Sequence, residues 1–196
     1  MDTIYGEMLR IYTEKKLDTI KAFRRLTYIN GKLDISQLYS LRSLNNFSEL
    51  NHIGGLLSIL NCTSLINLAG LENVKDTVSY IQIGGNYLIN GFASLNKIRH
   101  VKNRIILTLG ESQTIDGLKE LQSVGTEIDI TAGSKLKKLD AFYKLDTIHS
   151  LNFDSIVDKW SLKINAQALI NLNELKNLRY TKGIILSGNR KLVELS

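Results

Sequence analysis

Cysteine is almost missing from this chain: its 196 residues include one, Cys62. That excludes an internal disulfide and any cluster of thiolate metal ligands, and a lone thiol of this kind suits a small buried turn position. Long apolar runs are missing too, none nearing the ~18 residues that a membrane helix requires, so no span is expected. The opening MDTIYGEMLRIYTEKK places Asp2 and Glu7 where a secretory leader carries positive charge, and it lacks an uninterrupted apolar centre. As given, the chain reads as cytoplasmic; if it is an excised domain, it reads as a surface or extracellular module.

Charge and composition narrow the field further. Lysine and arginine total 25 against 19 acidic residues, and six of the basic residues fall between Arg10 and Arg25. Such clustering suits acidic partners, but a solvated helix face is the simpler account of it. No aromatic interleaving or nucleic-acid motif accompanies it, so nucleic acid is not the expected partner. With 43% apolar residues the chain is long enough for one sizeable core.

The informative feature is repetition. Leu33, Leu57, Ile81 and Ile105 are 24 residues apart, and Ile128 and Leu151 follow at intervals of 23. Two residues beyond each stand Ile35, Ile59, Ile83, Leu107, Ile130 and Phe153. Each unit therefore holds a short strand with both apolar side chains on one face, and that face must point inward. Upstream lies another apolar position, Ile29, Ile53, Val101, Val124 or Ile148, often followed by glycine as in INGK, IGGL and VGTE. Downstream, apolar residues recur every third place, as in Leu41, Leu44 and Phe47 or Leu65, Leu68 and Leu71. That spacing predicts short helical or 3₁₀ turns. No unit buries both sides alone, so the pattern predicts a stack of coils.

LNHIGGLLSI followed by CTSLINLAGLENV, echoed in INGKLDI and VGTEIDITAGSKLKKLDAF, resembles the receptor L-domain and its bacterial relatives within the leucine-rich-repeat group. The LxLxxNxxL core of such repeats is matched by LSILNCTSL and IILSGNRKL, with Cys62 and Asn189 at the turn position, and Asn86 fills it in IQIGGNYLI. Side chains there are expected to hydrogen-bond the backbone of neighbouring coils. The resemblance covers roughly residues 26 to 195. It implies an α/β solenoid of right-handed, leucine-rich-repeat or L-domain-like coils of about 24 residues, with one parallel sheet along one side, used to bind proteins, peptides or glycans.

Around this frame, residues 1–25 are expected to form an N-terminal helical cap, since Ile4, Met8 and Ile11 fall on one helical stripe and Ile20 and Phe23 continue it. Residues 26–196 form the solenoid. From Leu151 to Ile184 the interval is 33, which signals an insertion of about ten residues around DSIVDKWSLKINAQ; Leu162 and Ile164 offer a displaced alternative to Leu151 and Phe153. Trp160 in this insertion is either a core residue or an exposed functional one. At the other end Leu192 and Leu195 occupy repeat positions with no polar-faced cap after them. The strand Ile184 to Leu186 is then an open edge, blunted by Lys182, Arg190 and Lys191, and either a following domain that covers it or self-association through it is expected.

Outward columns bear on function. One reads Lys32, Leu56, Tyr80, Arg104, Glu127, Ser150; the next reads Asp34, Ser58, Gln82, Ile106, Asp129, Asn152. Glu127 and Asp129 are the only neighbouring carboxylates here, and Arg104 on the adjacent coil is a ready ion-pair partner, so a structural pair is expected rather than the paired acids of glycan cleavage. A further column, Tyr28, His52, Asp76, His100 and Ser123, lines up histidine, serine and aspartate on what reads as a straight convex edge. Such an edge supplies neither an oxyanion site nor three convergent metal ligands. No catalytic residue, cofactor or metal site is assigned. The expected activity is non-enzymatic recognition of a protein or peptide on the sheet face, at Leu56, Tyr80, Arg104, Ile106, Glu127 and Asp129. The alternative is a glycan-binding or scaffolding domain of a polysaccharide-modifying enzyme.

Overall fold

A computed structural model of the chain describes residues 2–110, 112, 114–149 and 160–193. It is a parallel β-solenoid of about seven turns. Eight strands, one per coil, stack in chain order as the principal sheet: Met8–Tyr12, Lys32–Ser36, Leu56–Leu60, Tyr80–Gly84, Arg104–Leu109, Glu127–Ala132, Leu162–Ala166 and Ile184–Ser187. They define coils one to eight. A second side is built from short corner strands in two narrower sheets, Thr3–Ile4, Tyr28–Ile29 and His52–Ile53 in one, then Asp76–Val78, Ile98–Val101, Ser123–Val124, Thr147–Ile148 and Tyr180–Thr181 in the other. The third side is turns, with single 3₁₀ turns at Asn45–Phe47, Ala93–Leu95 and Asn173–Leu175, the only helices among the described residues.

In-register pairing follows from the repeat. Leu33 stands opposite Leu57, Leu57 opposite Ile81, Ile81 opposite Ile105 and Ile105 opposite Ile128, and all five are fully buried. Phe47, Phe92 and Phe142 fill the interior behind the turns, also fully buried. Each aliphatic side chain so buried contributes about 1.5–3 kcal/mol relative to exposure.

The turn after the first four principal strands and the last carries its own repeat. Thr13, Gln37, Asn61 and Gly85, spaced like the strands, have φ of 57°, 57°, 56° and 67°, and Gly188 has 69°. Left-handed backbone is costly for most L-residues and cheap for glycine and asparagine. At Gly85 glycine is also required by crowding, since a Cβ there would lie 2.1 Å from Asn61 Oδ1.

Two expectations are corrected and one open alternative is resolved. The N-terminal helical cap is absent: the predicted helix is the strands Thr3–Ile4 and Met8–Tyr12, and Leu9 and Ile11 pair with Leu33 and Ile35 as the first coil. The Ile4, Met8, Ile11 stripe is split, because Ile11 faces the interior while Met8 is exposed. Among the described residues the solenoid has three sheets rather than one and almost no helix, so it is β rather than α/β in content. In coil seven the inward strand is the displaced one, Leu162 opposite Ile128 and Ile164 opposite Ile130; Leu151 and Phe153 lie outside the described residues, as does Leu195.

Candidate functional site on the principal sheet

Strand pairing puts the six sequence-predicted binding residues on one outward face. Leu56 lies opposite Tyr80, Arg104 opposite Glu127 and Ile106 opposite Asp129, so two adjacent columns bring all six together across coils three to six. Arg104 lies over the Tyr80 ring, its guanidinium carbon 5.2 Å from the ring centre. Such stacking holds a flexible guanidinium in place while leaving its donors available. Arg104 also reaches Glu127, Nη1 to Oε2 at 4.0 Å.

Two residues outside that set complete the patch. Lys163, on the displaced strand of coil seven, approaches Glu127 Oε1 at 2.6 Å. Trp160, 45% exposed, joins Tyr80, Asn103, Arg104, Thr126 and Glu127 around a cleft of about 430 Å³. Asp129 sits beside this group, and its carboxyl is pushed above the usual range, first by burial and then by the Glu127 carboxylate, with Lys163 pulling it back. The expected Arg104–Glu127 ion pair is thus present, and Lys163 makes the closer contact. With Glu127 committed to two cations, the geometry suits recognition of polar and aromatic groups.

The turn residues do what the repeat implies. Asn86, buried, accepts from the Cys62 N–H at 2.7 Å and donates to the Ile59 carbonyl at 2.8 Å. Asn189 repeats the device one end later, accepting from Ala166 N–H at 2.9 Å and donating to Ile164 O at 3.1 Å. Cys62 is fully buried with its Sγ 3.8 Å from Ile35 O, and burial pushes the thiol up from its ordinary value.

The polar column on the corner side differs from expectation at one place. A bulge between Asp76 and Thr77 pairs Asp76 with Ile98 and sets Thr77 opposite His100. Asp76, with φ of 61°, therefore leaves the column. What remains is Tyr28 stacked on His52 at 4.4 Å and, further along, His100 Nδ1 hydrogen-bonded with Ser123 Oγ at 2.9 Å. Among the described residues no three His, Cys, Asp or Glu side chains are placed to hold a metal ion. No helix there is long and apolar enough to cross a membrane.

The chain shows no significant match to any family model, curated protein or solved structure. Its function is therefore argued from these surfaces alone.

Proposed function

We propose that the chain is a non-enzymatic recognition module, a solenoid of the receptor L-domain and leucine-rich-repeat kind, that binds a protein or peptide on its principal sheet face. The observation that carries this reading is the Tyr80–Arg104 stack facing Trp160 across one cleft. Aromatic residues and arginine dominate the energetic centres of interfaces, and Tyr80 and Arg104 are held on adjacent strands of the sheet, so little ordering cost attends their part in binding; Trp160 lies two residues before the strand Leu162–Ala166. The cleft's Arg104 and Asn103 donate, Glu127 accepts, and Leu56 and Ile106 supply half-buried apolar flanks.

Selection from a random peptide display library tests the proposal. Enriched peptides are expected to lose at least tenfold in affinity on Arg104→Glu and on Trp160→Ala, while Lys16→Glu in coil one leaves binding unchanged. Peptides indifferent to both cleft substitutions, or no enrichment at all, would remove the reading.

A further inference from the structure

We propose that the corner side carries a second, separate binding site: an open trough across coils five to eight that takes an acidic oligosaccharide. The corner column runs in register through Thr77, His100, Ser123, Thr147 and Tyr180. Its members are bulky at His100 and Tyr180 and short between them. The surface accordingly dips at Ser123 and Thr147, where a straight convex edge was expected, and opens into a trough of about 810 Å³. That volume is within the range of sites that hold small ligands.

Every residue lining the trough is polar or charged. Ser123, Thr147 and Gln122 offer neutral donors and acceptors beside the His100 ring, and Lys144, Lys176 and Arg179 supply three cations around a single carboxylate, Asp146. Asp146 is already engaged: the Arg179 guanidinium donates to it, Thr147 Oγ1 donates at 3.0 Å, and its carboxyl is held below the usual range, chiefly by that Arg179 hydrogen bond. Lys144 is paired with Glu120 at 2.7 Å. Both ion pairs are solvent-exposed, so each is worth little by itself and exchanges readily for a ligand's carboxylate or sulfate. The lining as a whole remains cationic.

The chemistry of the lining selects the ligand class. An acidic peptide would be anchored by apolar or aromatic contacts, and the trough lining contains no such residue. Single-stranded nucleic acid uses several aromatic platforms for its bases, and the lining offers only the His100 ring, already bonded to Ser123. A hydroxyl-rich chain suits neutral donors and acceptors repeated at the ~4.8 Å rise of the coils. Its acidic groups suit the cations around them through charge-assisted hydrogen bonds.

Calorimetric titration of the whole chain with a galacturonic-acid hexamer, a heparin-derived hexasaccharide, maltohexaose and hexaglutamate tests this. At least one acidic saccharide is expected to bind, maltohexaose not to bind, and hexaglutamate to bind at least tenfold more weakly. Lys176→Glu at the exposed rim and Thr147→Phe in the dip should each weaken saccharide binding at least tenfold with the melting curve retained. Lys16→Glu and Arg104→Glu should change it less than twofold, which separates this site from the sheet-face cleft. The proposal is overturned if neither acidic saccharide binds, if hexaglutamate binds as tightly, or if Lys16→Glu weakens binding as much as Lys176→Glu, the mark of a diffuse field.

Discussion

Ile81 in coil four and Ile184 in coil eight hold the same place in the repeat, yet Ile81 is fully buried and Ile184 is 45% exposed. Both lie on strands of one sheet. The difference is that coil four has a neighbour on each side, whereas coil eight is packed among the described residues against coil seven alone. In a solenoid, burial belongs to the interface between coils. The same residue type therefore does different amounts of stabilising according to where its coil stands in the stack.

Substitution of inner and outer positions should separate sharply. Ile83→Ala or Ile130→Ala, both at fully or nearly fully buried inward sites, is expected to cost about 2–5 kcal/mol, while Ile184→Ala costs under about 1 kcal/mol. Urea denaturation measures both, and equal losses would break the comparison. Next, Gly125→Ala is expected to destabilise by about 1–3 kcal/mol, because a Cβ there would meet Lys102 O at 1.8 Å across adjacent coils. Gly6→Ala in coil one, with nothing within 4 Å, should be silent in the same melt.

The asparagine turns allow a finer version. Removing buried Asn86 leaves the Cys62 N–H and Ile59 O unpaired and should cost about 1–3 kcal/mol; Asn189→Ala, at a half-buried turn, should cost visibly less. Asp129 supplies a pH-dependent case. Its folded pKa is raised, so the native state holds the proton more tightly than the unfolded chain, and stability falls as pH climbs from the unfolded value through the folded one. Asp129→Asn should flatten that descent and stabilise the protein slightly at neutral pH, as read from denaturation midpoints across acidic pH. Weakest of all should be association through coil eight, where Ile184 and Val193 are 45% and 79% exposed. Sedimentation at rising concentration is expected to show self-association that Ile184→Lys abolishes, and a strict monomer would refute it.

Much of this architecture was legible because parallel, in-register stacking demands that one residue type return at one interval, so counting residues located Leu33 through Ile130 correctly. The first coil was misread for a local reason. Ile4, Met8 and Ile11 mimic a helical stripe by their spacing, while Leu9 and Ile11 stand one full repeat before Leu33 and Ile35, a signal that was available. The bulge at Asp76 could not be counted, since it changes pairing without changing the period of the principal strands. Of the sheet-face patch, the six named residues follow from register alone. Lys163 does not, because its place depends on which strand coil seven uses. Nor was the trough legible: it arises from small side chains within one column and cations brought in from other turns.

The corner and principal positions stand four places apart in coil six, Val124 to Ile128, and fourteen places apart in coil seven, Ile148 to Leu162. Neither register is disturbed: Ile148 still meets Val124 on one side of the edge, Leu162 still meets Ile128 on the other, and coil eight pairs onward with both. The seam between the two sides thus accommodates a difference of ten residues in chain length while the pairing on both sides is kept. A foreign peptide grafted into this seam is expected to leave the strand pairing on either side unchanged. The scaffold and its adaptable part are separable in sequence, which makes this corner the natural place for new specificity to arise.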